Sequence, residues 1–216
     1  HSTIARFRSG FLEEACEDLF YQMVHRLELA GELSKETVFL DGTKLEACAN
    51  KYTFVWKKSV GKWEEKMFIK IQEAVRLVNQ EFIQSFRVGT EYRVQDLRKI
   101  CRFLEEICRE RNIAFVHGRG KRKSIEQRYL ELFQRYLERQ TIYDWHTASF
   151  QGRNNYCKTD PDATFMHMKD DHMRNAQLKP GYNVQIGVDS EYIVAVDIFQ
   201  DRNDVWTLVP FLRQMK

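Results

Sequence analysis

The residue best suited to chemistry in this sequence is Asp41, which follows the apolar run Val38 to Leu40 and precedes Gly42. The run favours a buried strand, and the acid–glycine pair predicts that the strand ends at Asp41. A carboxylate there suits a Mg²⁺ ligand, and a glycine beside it would let a phosphate approach the backbone. The same pair is also typical of a simple turn, so the residues alone leave both interpretations open.

Cations and aromatic rings follow Asp41 closely, which would suit a nucleic acid. Lysines could contact phosphates near a cut site, and aromatic rings could stack on bases. A solvated surface segment with its rings turned inward would explain the same residues. The candidate DNA-binding residues in this segment are Lys44, Lys51, Tyr52, Trp56, Lys57 and Lys58.

The densest basic patch lies in a glycine-containing loop further along the chain. It is a reasonable electrostatic contact for a DNA backbone, although a solvated loop between helices explains it as well. The formal net charge of the whole chain is only +3, so any nucleic-acid hypothesis depends on local patches. The cations of this loop are Arg119, Lys121, Arg122 and Lys123.

Other acidic and histidine residues favour structural roles. Those that flank Pro161 are ordinary turn and cap residues more readily than a metal cluster. Asp197 lies inside a predicted strand, where we expect it to be exposed or paired with a lysine, and it is assigned no catalytic role. The set considered as a metal cluster is Asp160, Asp162, His167, Asp170, Asp171 and His172.

Composition indicates a globular protein and excludes several classes. The chain has 216 residues, of which 43% are hydrophobic and 30% charged, enough for a sizeable core. Its five cysteines are odd in number and form no CxxC pair, which argues against a disulfide framework or a zinc ribbon and fits a reducing cytoplasm. No apolar run approaches the roughly 20 residues that cross a bilayer. Because the chain starts at His1 and stops at Lys216 within an amphipathic pattern, we expect an internal fragment.

Periodicity predicts the order helix, strand, helical block, hairpin and helix. Helical spacing covers residues 11 to 30, and Gly31 is a natural stop. Three amphipathic stripes fill residues 63 to 145, two β-type runs joined by about three turn residues fill 182 to 199, and Asp204 is a plausible N-cap of the last helix. The stripes are Met67, Ile71, Ala74, Val75, Val78 and Phe82; Leu97, Ile100, Cys101, Leu104, Ile107 and Cys108; and Tyr129, Leu130, Phe133, Tyr136 and Leu137.

The segment from Asp41 to Lys58 resembles the surroundings of the first catalytic aspartate in one branch of the insertion-sequence transposases. Residues 159–166, 169–173 and 178–185 resemble later segments of that family in the same order. Residues 1–8 look like the junction that follows its N-terminal DNA-binding region. The resemblance covers most of the chain apart from the helical block.

This resemblance implies a mixed α+β fold of the α/β class, a partial RNase-H-like sheet with a large helical insertion between strands one and two. Strand one is the run ending at Asp41, and the 182–199 hairpin supplies strands two and three. The implied organisation is a helical lead-in at 1–35 after a missing DNA-binding region, a partial catalytic core at 36–62 and 146–216, and a helical insertion at 63–145.

The function implied is that of a DDE transposase, which cleaves and joins DNA with two Mg²⁺ (or Mn²⁺) ions held by two aspartates and a glutamate. Asp41 would be the first of these, catalytic and metal-binding. The second aspartate and the glutamate match no residue here, so we expect the fragment alone to be inactive. The partners would be element ends and target DNA, with a homo-oligomer in the intact enzyme, no membrane, and a cytoplasmic, nucleoid-associated location in a bacterium. Two alternatives are a non-catalytic DNA-binding or scaffolding remnant of a degenerate element and a helical interaction module.

Overall fold

The computed structural model describes residues 2–118, 122–168 and 177–215. Helices make up 53% of the structure and strands 19%, and the strands form a partial antiparallel sheet. The predicted mixed α+β class is therefore confirmed. The chain divides into two compact units. We call residues 1–52 with 159–216 the sheet unit and Thr53–Lys158 the helical unit.

The elements follow the predicted order, with three short strands that the sequence did not indicate. The helices are α1 (Ser2–Phe7), continued by a π-helical segment (Arg8–Leu12), α2 (Glu13–Leu29), α3 (Lys57–Glu81), α4 (Val94–Glu110), α5 (Ile125–Phe150) and α6 (Asp204–Gln214). The strands are β1 (Phe39–Glu46), β2 (Phe54–Trp56), β3 (Asn155–Cys157), β4 (Thr164–His167), β5 (Leu178–Asp189) and β6 (Tyr192–Phe199). The short strands β2, β3 and β4 were missed because three or four residues are too few to show a period.

The sheet of the sheet unit is built on β5, its longest strand. Along one edge β5 pairs with β1, from Phe39 opposite Val188 to Glu46 opposite Gly181. Along the other edge it pairs first with β4 and then with β6, and all three pairings are antiparallel. The prediction that the strand bearing Asp41 lies beside the 182–199 hairpin is therefore confirmed.

The prediction that β1 ends at Asp41 is wrong, because Asp41 is the third of eight strand residues. The acid–glycine pair is a turn signal, but Gly42 and the four residues after it continue in register with β5. Pairing with a long neighbouring strand overrides the local turn preference. Asp41 therefore projects from the middle of the sheet's edge strand instead of from a loop.

The hairpin turn between β5 and β6 consists of Ser190 and Glu191, both with positive φ (48° and 72°). Positive φ at both central residues is the geometry of a type I′ turn, which normally prefers Asn-Gly. Here the Ser190 hydroxyl donates to the carboxylate of Asp189 at 2.8 Å, which holds the turn without a glycine. The predicted turn position is thus correct.

The N-cap of α6 lies one residue earlier than predicted. The side chain of Asn203 accepts from the Val205 N–H at 3.2 Å, so Asn203 is the N-cap and Asp204 is the first helical residue. Asp204 does not cap the helix; its carboxylate instead accepts hydrogen bonds from the side chains of Asn183 and Gln185 on β5. The buried residues of α6 are Thr207 and Phe211.

The three predicted apolar stripes form the core of the helical unit. Helices α3 and α4 each pack against α5, and the stripe residues of all three helices except Ile107 are buried or partly buried in this core. Gln127, fully buried, holds the α4–α5 connection by bonding both the N–H and the C=O of Val116. Strands β2 and β3 pair at the base of the unit, so residues 53–62 and 146–158 belong with the helices and lie outside the predicted 63–145 boundaries.

Helix α2 forms where the sequence predicts it, but it buries none of its residues. Phe11 and Leu29 are each 74% exposed, so the apolar residues of this region have formed a helix without entering a core. Periodicity predicts the conformation of a segment, and it does not by itself predict what covers the apolar stripe.

Candidate functional site

The register of the sheet decides which side chains share a face with Asp41. Asp41 lies opposite Ile186 of β5, and Ile186 lies opposite Val196 of β6. Residues opposite each other in antiparallel strands project from the same face, and neighbours along a strand alternate. Asp41 therefore shares its face with Ile186 and Val196, and we call this the open face.

The open face is apolar except at a few positions. Asp41 is exposed there, and its surroundings include Phe39 at 71% exposure, Ile198 at 62% and Leu45 at 55%. Among the described strands, Asp41 is the one carboxylate on this face. An exposed acid on a mostly apolar sheet face is accessible to a ligand, which makes a functional role for it reasonable.

The opposite face is covered by α6 and carries a polar network. Gln185 donates to the side-chain oxygen of Asn183 at 2.9 Å, and Asn183 donates to the carboxylate of Asp204 at 2.8 Å and to the carbonyl of Asp201 at 3.1 Å. Both amides are almost fully buried. Because buried amides need partners, this network fixes how α6 begins above the sheet.

Gly42 belongs to this covered face. A Cβ at position 42 would overlap the side-chain amide of Gln185. The space that glycine leaves is thus filled by protein, and the hypothesis that it admits a phosphate beside Asp41 is wrong. Asp197 also projects from the covered face, opposite Gln185, and so does not join Asp41.

Asp189 positions the start of β1. Its carboxylate accepts from the hydroxyl of Ser34 at 2.7 Å, from the Ser34 N–H at 3.2 Å and from the Lys35 N–H at 2.8 Å. These bonds lower the pKa of Asp189 from its ordinary value to about 2, and the bond from the Ser34 hydroxyl makes the largest contribution. They tie the segment before β1 to the hairpin turn and so support the register that places Asp41.

Three of the predicted DNA-binding residues belong to the sheet unit. Lys44 lies opposite Asn183 and is half-buried on the covered face. Lys51 has its Nζ 5.3 Å from the centre of the Tyr52 ring, a cation–π contact, and that ring is 72% exposed. An exposed ring beside a cation matches the predicted arrangement for stacking and phosphate contact.

The other three residues of that segment belong to the helical unit. Trp56 is half-buried, with its ring edge-on to Phe54 at 6.2 Å, while Lys57 and Lys58 are exposed in the first turn of α3. The six predicted residues are thus divided between the two units.

The basic loop is only partly described. Arg119 and Lys121 lie outside the described residues. Arg122 is exposed, whereas Lys123 pairs with Glu131 at 2.6 Å. That ion pair gives Lys123 a structural partner on α5, which favours the solvated-loop interpretation at this position.

In the ranges that the structure describes, no three His, Cys, Asp or Glu side chains gather closely enough to hold a metal ion. Asp160 accepts a hydrogen bond from the Tyr182 hydroxyl at 2.7 Å. Asp170, Asp171 and His172 lie outside the described residues. None of the described helices has both the length and the apolar character required to cross a bilayer.

Comparison of the chain with protein-family models, with curated proteins and with solved structures finds no match.

Proposed function

We propose that this chain is part of a DDE-type DNA transposase and that Asp41 is the first metal-binding aspartate of its active site. The observation that supports this most directly is the pairing of β1 with β5 across an intervening helical unit. An RNase-H-like sheet begins with this arrangement: an aspartate on the first strand, an antiparallel hairpin beside it, and a helix after the hairpin.

The surroundings of Asp41 agree with this role. Its carboxylate is exposed on the open face, whereas α6 covers the opposite face, so a DNA phosphate could approach Asp41 from the open side. The bonds of Asp189 tie the segment before β1 to the end of β5 and so support the register of these two strands. A rigid strand is a better support for a metal ligand than a loop would be.

Asp41 can supply one oxygen ligand to Mg²⁺, the donor type that this ion prefers. The described residues bring no group of three metal-ligating side chains together, so the part of the chain that the structure describes does not account for a pair of ions. In the intact enzyme the metal would supply Lewis-acid activation of the attacking oxygen. The contribution of this chain is to hold one carboxylate at a fixed position on the sheet.

The test is Asp41→Asn in the full-length protein, with strand cleavage measured on DNA that carries an element end. Asparagine keeps the size and one oxygen but removes the charge that holds the metal. Each tenfold loss of rate corresponds to about 1.4 kcal/mol, and loss of a metal-bound carboxylate should lower the cleavage rate by orders of magnitude. Folding and DNA binding should remain nearly unchanged.

Asp197→Asn is the matched control, because it removes an acid from the same sheet on its other face. It should cleave at the wild-type rate. If Asp41→Asn also cleaves at the wild-type rate, Asp41 is not a metal ligand and the transposase proposal fails. A wild-type protein that binds DNA without cleaving it would instead support the alternative of a non-catalytic DNA-binding remnant.

A further inference from the structure

A groove of about 820 Å³ runs between α3 and α5 within the helical unit. Lys66 and Lys70 line it from α3, and Arg135 and Arg139 line it from α5. Each pair is spaced four residues apart, which places both members on one side of their helix, about 6 Å apart along its axis. The groove therefore has two cations on each wall.

The cations of the groove have few acidic neighbours. Glu138 is the one carboxylate among the residues that line it, and no carboxylate in the described residues forms a salt bridge with any of the four cations. Arg135 is oriented by donating to the carbonyl of Glu131 at 3.2 Å. Cations on both walls outnumber the carboxylate that lines the groove, so this arrangement favours an anionic occupant.

Helix α4 shows that such a face is not simply typical of the helical unit. It carries four acids (Asp96, Glu105, Glu106 and Glu110) alongside four cations (Arg98, Lys99, Arg102 and Arg109). A mixed-sign surface of that kind is a solvated face. The α3–α5 groove departs from it in having four cations and a single carboxylate, Glu138, among its lining residues.

Aromatic surface accompanies the charge. Trp63 lies at the groove one turn before Lys66 and is 58% exposed, while Tyr136 and Tyr143 contribute to the lining. A large ring that is exposed beside cations can stack on a nucleic acid base, whereas an isolated phosphate or an acidic peptide would make no use of it.

We propose that the α3–α5 groove binds a single strand of DNA, with the four cations on successive phosphates and a base stacked on Trp63. The choice of DNA rests on the proposed transposase function; the anionic, base-bearing strand follows from the groove itself. Helices that pack with their axes about 8–10 Å apart leave only a narrow surface groove, which a single strand could follow, whereas a duplex would contact only its rim.

The test measures fluorescence anisotropy of a labelled oligonucleotide of about 20 nucleotides with the purified chain, in EDTA so that no metal chemistry intervenes. One variant changes Lys66, Lys70, Arg135 and Arg139 to Gln. The matched control changes Arg76, Arg98, Arg102 and Arg109 to Gln, which removes the same charge from exposed positions outside the groove.

Four phosphate contacts to a single strand predict that binding by the wild type weakens about fifty-fold between about 50 mM and about 200 mM salt. The groove variant should lose most of this salt dependence and bind much more weakly at low salt, while the control keeps the wild-type slope. Equal weakening in both variants would overturn the proposal, because only overall charge would then matter.

Substitutions at Trp63 test whether the groove binds a single strand or a duplex. Trp63→Ala should weaken single-strand binding about tenfold, and Trp63→Phe should retain most of it, because any aromatic ring can stack. Tighter binding of the duplex, unaffected by Trp63→Ala, would overturn the assignment to a single strand. None of these measurements involves cleavage, so a failure of the groove proposal can be distinguished from a failure of the Asp41 proposal.

Discussion

The helical unit encloses the apolar stripes of its three helices, whereas the sheet unit leaves much of one face exposed in the described structure. Leu104 and Phe133 of the helical unit are completely buried, and the stripes of all three helices meet in one core. On the open face, Phe39 and Ile198 are mostly exposed. Hydrophobic residues are common in both regions, so composition does not distinguish them.

The difference shows that burial depends on whether an element has a partner, not on the quality of its own pattern. The alternation in β6 is as regular as the stripes of α3 to α5, yet its burial is one-sided, because Ala195 is buried whereas Val196 and Ile198 are exposed. A regular pattern therefore determines where an apolar surface lies. That surface contributes to stability only when a second surface buries it.

The largest expected effect comes from matched Phe-to-Ala substitutions in the two regions. Phe133→Ala should destabilise the helical unit by about 3–5 kcal/mol, because it leaves a cavity in a closed core. Phe39→Ala should change the stability of the sheet unit by less than about 0.5 kcal/mol. Urea unfolding followed by circular dichroism would measure both. Similar losses for the two variants would show that the open face is covered in solution.

A smaller effect is expected on the covered face at Gly42. Gly42→Ala should destabilise the sheet unit by about 1–3 kcal/mol, because the added methyl group displaces the Gln185 amide from its bonds. In thermal unfolding, the double variant with Gln185→Ala should cost less than the sum of the single variants. Strict additivity would mean that the two positions do not touch.

The smallest effect concerns pH and Asp189. Its pKa is lowered to about 2 in the folded protein, below its ordinary value of 3.8. The carboxylate therefore stabilises the fold fully above pH 3.8, and this contribution is lost as the pH falls toward 2. Asp189→Asn should be less stable at neutral pH and should lose less stability than the wild type between pH 4 and 2 on acid titration followed by circular dichroism. Glu191→Gln, in the same turn, should leave the wild-type slope intact; an equal slope for Asp189→Asn would contradict the role of its bonds.

Much of the fold could be predicted from the sequence because it is local. The helices α2 to α5 and the hairpin have long, regular patterns and clear punctuation, such as the turn at Ser190 and Glu191. The resemblance to transposases supplied the long-range pairing of β1 with β5, which periodicity cannot provide. The true end of β1 could not be predicted, because it depends on how far β5 extends alongside it.

The site was less accessible to sequence reasoning. Asp41 was correctly placed on a strand, but the face it occupies depends on register with β5. The basic groove was missed because its cations come from α3 and α5, which are far apart in sequence. The spacing of Lys66 with Lys70 and of Arg135 with Arg139 was a usable signal, though only helix packing shows that the two pairs face one groove.

The pairing of β2 with β3 has a consequence for how the chain can change. The Lys158 N–H donates to the carbonyl of Thr53 at 2.9 Å, so the polypeptide enters and leaves the helical unit at one narrow neck. Once the helical unit has folded, its ends are already held together at this neck. The entropy cost of bringing β1 and β5 together therefore corresponds to closing a short loop and not one of about a hundred residues. Helices could therefore lengthen, shorten or be exchanged beyond that neck at little entropic cost to the strand pairing that carries Asp41.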